Sequence, residues 1–209
     1  MSTASCDCEK NEGINELVLR VVRQMEKTCI FIDNSNLFWA LRTLGTDQKL
    51  DYVKLRNLLA DDRPADVRFY YSEPQNPQTE EARLRLEKQK GFYHFLQVGA
   101  GYRMIKLPLW ERSTEDSQTA FEKGLDCEIV FDLCRLSLSG NYKTFVLVAG
   151  DQDYARTIKK VRDMGIGVEV AFFKSARISS NLLKSASKFI DLDEYRDQLF
   201  SYRLSETGS

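Results

Sequence analysis

The sequence predicts an α/β protein in which a central, mostly parallel sheet carries helices on both faces. Short apolar runs alternate with helical segments along almost the whole chain, the pattern of repeated strand–helix–strand units. The apolar runs are nearly continuous, as expected of strands that are covered on both faces. Acidic and amide side chains follow two of these runs, at the edge where parallel sheets bind their ligands.

Six apolar runs are predicted strands. They occupy residues 29–33, 66–72, 102–109, 144–150, 167–173 and 188–192. Pro108 is expected to end the third of them, because proline cannot donate the N–H that a strand interior uses. The polar stretch after it, residues 110–119, is predicted to be a loop.

The segments between the strands carry apolar residues at helical spacing. Helices are predicted over residues 36–44, 51–60, 79–95, 120–138, 152–164 and 179–187. Asp51 begins the second helix, while Gly45 and Gly165 end the first and the fifth.

Both ends of the chain differ from this alternating body. Residues 1–12 are small and polar and are predicted to be a disordered tail, and residues 193–209 a helical or disordered tail. Residues 13–27 place Leu17, Val21 and Met25 on one face of an amphipathic helix. That face requires a partner surface, and two alternatives remain open: its own domain, or a second copy in a homodimer.

Composition limits the protein class. The 209 residues suit one domain or two small ones, and the net charge of −1 gives no overall attraction to nucleic acid. No signal-peptide pattern or membrane-spanning run is found, so a soluble, cytoplasmic protein without membrane contact is expected. Cys29, Cys127 and Cys134 lie in apolar runs and are expected to be buried free thiols. A single histidine, His94, argues against Ser-His or Cys-His catalysis.

Two polar clusters follow the first and fourth predicted strands. They are "DNSN" at residues 33–36 and "GDQD" at residues 150–153. Parallel strands would place both on the same edge of the sheet. A third acid, Asp126, precedes Ile129, Val130 and Leu133 at helical spacing, which predicts that it faces inward.

Each acid also has a structural explanation. Asp33 or Ser35 could cap the first helix and Asp151 the helix after the fourth strand, since aspartate is a favoured N-cap. Capping requires one acid per helix, however, and gives no reason for both Asp151 and Asp153. Converging carboxylates repel unless cations lie among them, and oxygen ligands without His or Cys select Mg²⁺ or Mn²⁺.

Four segments carry a resemblance to a known family: "FIDNSNL", "KGLDCEIVFDL", "VLVAGDQDY" and "ISSNLLKSASKFIDL". In this order they resemble the NYN domain family, the LabA-like branch of the PIN-like nucleases, over residues 28–192. The chain departs from the family pattern at Asn34, where glycine is usual, and at Ala149, where serine is usual. Asn34 is expected to keep a left-handed turn.

The resemblance implies a three-layer α/β/α Rossmann-like (PIN-like) sandwich and cleavage of RNA with Mg²⁺ or Mn²⁺. It implies that Asp33, Asp126, Asp151 and Asp153 are the metal-binding and catalytic acids. Asn36 and Lys123 match the family's Asn and Lys-Gly positions, and they are expected to bind substrate. The product of a two-metal reaction would carry a 5′-phosphate.

Two other functions remain open. One is a non-catalytic RNA-binding or regulatory protein that retains a metal site, and the other is a small-molecule phosphatase. For RNA as partner, basic residues are expected to border the acids. The candidates are Arg68, Arg103, Lys106, Arg112, Lys123 and Lys174.

Overall fold

The computed structural model describes residues 26–45, 49–74, 77, 79–114, 117–122 and 124–201. In these residues seven strands form one sheet. The strands are β1 Thr28–Asp33, β3 Ala65–Pro74, β4 Tyr102–Thr114, β5 Ser117–Glu122, β6 Thr144–Val148, β7 Gly167–Phe172 and β8 Lys188–Asp191. Two short strands, β2 Lys49–Leu50 and β9 Phe200–Ser201, pair separately.

The helices connect these strands and cover the sheet. They are α1 Asn34–Leu44, α2 Tyr52–Ala60, α3 Glu80–His94, α4 Leu125–Ser137, α5 Ala155–Asp163, α6 Ser180–Ser185 and α7 Arg196–Leu199. The left-handed Gly45 ends α1, and the Asp51 side chain caps α2, as predicted from the sequence. Among the described helices, none is long and apolar enough to cross a membrane.

Alternate residues of each central strand face opposite layers of the molecule. In β1, Ile30 and Ile32 pack in a core with side chains of α1, α2 and α3, while Cys29 and Phe31 pack in a second core with those of α4, α5 and α6. Complete burial of each such side chain contributes about 2 kcal/mol. The molecule is therefore the three-layer α/β/α sandwich predicted, with a mostly parallel sheet at its centre.

The strand order places a topological switch point at β1. The sheet runs β5-β4-β3-β1-β6-β7-β8, and all strands except β5 are parallel. The chain moves outward from β1 through β3 and β4, then returns to β6 on the other side of β1. Helices that follow β1 and β6 therefore diverge and leave a crevice at the carboxyl ends of these two strands.

The structure corrects several predictions from the sequence. Residues 110–114 and 117–119 are not a loop, because they belong to β4 and β5, which pair antiparallel. The helix predicted over 120–138 consequently begins only at Leu125. Of the three cysteines expected to be buried, Cys29 is buried, while Cys127 and Cys134 lie on the outer face of α4 and are exposed.

Both tails lie largely outside the described residues. Of the N-terminal helix predicted over 13–27, residues 13–25 lie outside them, and residues 26 and 27 are not helical. Residues 202–209 also lie outside. Between β8 and β9, a 3-10 turn at Leu192–Tyr195 leads into α7, so the described start of the tail predicted over 193–209 contains helical turns.

Candidate functional site

The switch point brings together the two polar clusters singled out in the sequence. Asp33 is the last residue of β1, and Gly150 follows the end of β6, the parallel neighbour of β1. Both clusters thus lie at the same edge of the sheet, as the sequence predicts. The site is assembled from the ends of two central strands and from the first turns of the helices that follow them.

The Asp33 carboxylate is buried and held by several donors. It is 2% exposed and caps α1, since its Oδ1 accepts a hydrogen bond from the Asn36 backbone N–H at 3.0 Å. Its Oδ2 accepts from Asn36 Nδ2 at 2.8 Å and from the Tyr154 hydroxyl at 2.7 Å. The capping alternative is therefore realised at Asp33, and the additional donors fix the orientation of the carboxylate. Asn34 begins α1 without the left-handed backbone expected of it.

Asn36 links the two strand ends. Its Nδ2 donates to Asp33, and its Oδ1 accepts from the Gly150 backbone N–H at 3.0 Å. A Cβ on Gly150 would lie 2.6 Å from Cε1 of Phe172, so the chain turns here against the Phe172 ring. The amide of Asn36 thereby joins Asp33 on β1 to the backbone that leads into Asp151.

Asp151 and Asp153 lie in the turn that follows β6, a 3-10 segment at Gln152–Tyr154. Oδ1 of Asp151 accepts from the Asp153 backbone N–H at 3.2 Å, so Asp151 caps this segment. Both carboxylates are exposed to solvent. One acid suffices for the cap, which leaves Asp153 without a capping role.

Asp126 does not face inward as predicted. It is exposed, in the first turn of α4 after the left-handed Gly124. The residues of α4 that pack in the core are Leu125, Ile129, Asp132, Leu133 and Leu136. This buried face is rotated by about one residue from the face predicted from the sequence, which included Asp126. Asp126 therefore projects from the edge of the helix.

The acid of α4 that does enter the core is Asp132, which is 4% exposed. It accepts hydrogen bonds from Arg68 Nη1 at 2.9 Å, from the Tyr70 hydroxyl at 2.7 Å and from Arg135. Burial acts to raise its pKa, but the hydrogen bonds from Arg135 and Tyr70 and the charge of Arg68 prevail and lower it. This cluster satisfies the buried charge without a metal.

Tyr154 is a site residue that the sequence analysis missed. It is 1% exposed, and its hydroxyl donates to Asp33. Burial, the charge of Asp33 and the hydrogen bond to it raise the pKa of Tyr154 well above the ordinary tyrosine value, and the charges of Asp126 and Asp151 act in the same direction. Carboxylates from β1, from α4 and from the turn after β6 thus act on one hydroxyl. The sequence feature that could have identified Tyr154 is its position directly after "GDQD".

The donor set suits a hard cation that keeps water ligands. The acids offer oxygen only, which Mg²⁺ and Mn²⁺ prefer. Within the described residues, however, no three Asp, Glu, His or Cys side chains are close enough together to hold one ion. Mg²⁺ usually binds one or two carboxylates directly and retains several waters, so the residues fit that kind of site rather than a closed cage.

Two open grooves flank these acids. The first, which we call the tryptophan groove, has a volume of about 450 Å³ and is lined by residues that include Asn36, Trp39, Asp151, Gln152 and Arg177. The second, the basic groove, has a volume of about 580 Å³. Its lining includes Gln152, Asp153, Arg156, Lys159, Arg162 and Lys184.

Among the side chains that the structure describes, the cations that line the grooves are not those expected from the sequence. Arg68 pairs with the buried Asp132, and Lys106 pairs with Glu73 at 2.9 Å. Arg103 lies beside Arg68 in the sheet, toward the strand starts. Lys123 lies outside the described residues. The cations that line the grooves come instead from α5, α6 and the loop after β7. The positions of the strands in the sequence do not predict which residues of these helices and this loop face the grooves.

Comparison with solved structures gives a match in fold. A protein of unknown function from Vibrio parahaemolyticus superposes with a TM-score of 0.64 at 19% identity, covering 85% of this chain and 98% of that one. MurG from Acinetobacter baumannii is also matched, with a TM-score of 0.37 at 12% identity, over 78% of this chain and 40% of that one. The curated proteins give no match.

A family model provides the assignment. The model of the NYN domain matches residues 27–193, which include β1, β6, the candidate acids and the residues that line both grooves. The match spans well over half of the chain. The chain therefore belongs to the NYN domain family, a family of PIN-like nucleases.

Proposed function

We propose that this protein is a Mg²⁺- or Mn²⁺-dependent ribonuclease of the LabA-like branch, which hydrolyses RNA phosphodiesters at the switch point. The observation that carries the proposal is the meeting of two strand ends. Asn36 bonds both the Asp33 carboxylate and the Gly150 backbone, so Asp33 and the acids of "GDQD" lie at one edge of the sheet. Concentrated negative charge at the mouth of a crevice favours a divalent cation.

Asp33, Asp126, Asp151 and Asp153 are the residues that would hold the ion, directly or through its waters. A divalent ion bound there would supply an activated water and neutralise charge on the phosphodiester. Tyr154, which stays protonated, and Asn36 both donate to Asp33. These donors orient a ligand carboxylate, the role that outer-shell hydrogen bonds have at metal sites.

Asn36 and Lys123 have different proposed roles. The amide of Asn36 is engaged on both sides by the protein, which supports a positioning role in addition to the substrate contact implied by the family resemblance. Lys123 is proposed to contact a phosphate. A homodimer through the N-terminal helix is also proposed, and it concerns residues outside those described.

A cleavage assay tests the function. Mixed-sequence RNA is incubated with wild-type protein in Mg²⁺, Mn²⁺ or EDTA, and with the Asp151→Asn variant. Cleavage is expected only with metal, and the variant should lose about 100-fold or more in rate, because asparagine keeps the cap but not the charge. Asp163→Asn is the matched control, since Asp163 is an exposed acid at the end of α5 and is expected to be silent.

Other outcomes would identify the alternative functions. RNA that is bound but not cut under every metal condition would identify a non-catalytic RNA-binding protein. Release of inorganic phosphate from monoesters, with RNA untouched, would identify a phosphatase. Cleavage that persists in EDTA, or that is equal in Asp151→Asn, would contradict the proposal.

A further inference from the structure

The two grooves meet at the acids from opposite sides. Gln152 lines both of them, while Asp151 lines the tryptophan groove and Asp153 lines the basic groove. The two aspartates of "GDQD" thus lie on either side of a shared residue. A ligand that occupies both grooves must pass directly over this pair.

The basic groove suits a chain of phosphates. Arg156 and Lys159 on α5 and Lys184 on α6 are exposed, and in the described part of the chain none of the three forms a salt bridge. Arg162 differs, because it donates to the carbonyl oxygens of Ser185 and Ala186 at the end of α6. Among the described lining residues, three cations outside any salt bridge lie near one carboxylate, that of Asp153, and this excess of positive charge favours a polyanion.

The tryptophan groove suits an unpaired base. Trp39 lies on α1, and 60% of its surface is exposed, which is a large fraction for a tryptophan. Its ring contacts Phe38 edge-on, with centroids 5.6 Å apart, and the Arg42 guanidinium lies 5.5 Å from the ring centroid. These contacts restrict the motion of the Trp39 ring. Little side-chain entropy is therefore lost when a base stacks on it.

Arg177 adds a cation to the tryptophan groove. Its φ of 65° is unusual for a residue other than glycine. The segment before it is anchored, because the Ser175 N–H and hydroxyl donate to Asp193 at 2.7 and 2.9 Å. The Ser179 N–H after it donates to the Gly150 carbonyl at 2.9 Å. Arg177 is therefore held beside Trp39 and Asp151.

We propose that single-stranded RNA runs through both grooves, with one base stacked on Trp39 and the adjoining phosphates along Arg156, Lys159 and Lys184. Base stacking on an aromatic side chain requires an unpaired strand. The strand path rests on the proposed function only for its position over the acids, and it is tested by binding, which requires no cleavage.

Binding is measured by quenching of tryptophan fluorescence with oligouridine, in buffer without divalent metal. Quenching is expected in the wild type and should be lost in Trp39→Phe, where Trp110 remains as the sole tryptophan. Trp39→Ala should bind roughly tenfold more weakly, while Trp39→Phe keeps an aromatic ring and most of the affinity. Quenching that persists in Trp39→Phe, or unchanged affinity in Trp39→Ala, would overturn stacking on this residue.

The basic groove is tested in the same titration. The double variant Lys159→Glu and Lys184→Glu should weaken binding at least tenfold at low salt and reduce the slope of log affinity against log salt by about 2. Lys88→Glu, an exposed lysine on α3 outside both grooves, is the matched control and should bind like the wild type. An equal effect of the control and the double variant would place the strand elsewhere.

Discussion

Gly150 has no space for a side chain, because a Cβ would lie 2.6 Å from Cε1 and 3.0 Å from Cδ1 of Phe172. Phe172 is 3% exposed in β7, so its ring cannot move away freely. We predict that Gly150→Ala lowers the free energy of unfolding by about 1–3 kcal/mol, the usual cost of overpacking. Urea denaturation measures the change.

A second substitution separates overpacking from other effects. Phe172→Leu removes the ring atoms that the new Cβ would meet, so the double variant Gly150→Ala with Phe172→Leu should lose less stability than the sum of the two single variants. Additive losses would show that contact with Phe172 is not what requires glycine at this position.

Asn36 is predicted to hold the two strand ends together. Asn36→Ala leaves the Gly150 N–H and the Asp33 carboxylate each without one partner, and the expected loss is about 1–3 kcal/mol of stability. Asn36→Asp retains an acceptor for Gly150 but places a second carboxylate beside Asp33. It should therefore be rescued in part by Mn²⁺, whereas the alanine variant should not. Thermal unfolding with and without Mn²⁺ distinguishes them.

At the scale of elements, α4 shows what a helical pattern cannot predict. Its sequence has an apolar stripe with an aspartate on each side, Asp126 and Asp132, and periodicity alone does not determine which of them is buried. The partner that decides is Arg68, which lies on β3 and is 64 residues away in sequence from Asp132. Such a pairing depends on tertiary contacts that no local pattern encodes.

We predict that Asp132→Asn destabilises the protein by about 3 kcal/mol near neutral pH, because the buried Arg68 guanidinium loses its counter-charge. The pKa of Asp132 is lowered in the folded protein. Its stabilising contribution is therefore present above the unfolded pKa and is lost as the pH falls below about 4. The difference between wild type and variant should shrink over that range.

The comparison on the same helix is Asp126→Asn, which should change stability by less than about 0.5 kcal/mol because Asp126 is exposed. Urea titrations at several pH values provide both results. Equal destabilisation by the two variants would contradict the assignment of Asp132 as the buried acid of α4.

Pro108 was expected to end its strand, because proline usually interrupts a strand that has neighbours on both sides. The strand β4 instead passes through Pro108 and continues to Thr114. At Pro108 the strand pairs with β3 through Glu73, whereas its pairing with β5 begins only at Leu109. The proline thus lies where β4 has a single strand neighbour, which is the edge context in which strands tolerate proline. The polar composition of residues 110–114 and 117–119 likewise does not prevent backbone pairing.

At the scale of the whole molecule, the alternation of apolar runs and helices was sufficient to predict the parallel sheet. A parallel sheet in turn places the residues after β1 and β6 at one edge, which is why Asp33 and Asp151 could be located from the sequence. The grooves could not be predicted. The basic groove combines α5 with α6, and its shape depends on how these helices pack rather than on either sequence segment.

The central claim is that the carboxylates of the switch point form one metal site, with helix capping as a secondary role of Asp33 and Asp151. The most direct test is Mn²⁺ binding to the 209-residue protein, measured by the loss of the electron paramagnetic resonance signal of the free ion. The wild type should bind Mn²⁺. Asp151→Asn and Asp126→Asn should each bind at least tenfold more weakly, with Asp163→Asn unchanged. Asp151→Asn should keep its stability without metal, because asparagine caps as well as aspartate. Equal Mn²⁺ affinity in wild type, Asp151→Asn and Asp126→Asn would contradict the claim and leave capping as the explanation for "GDQD".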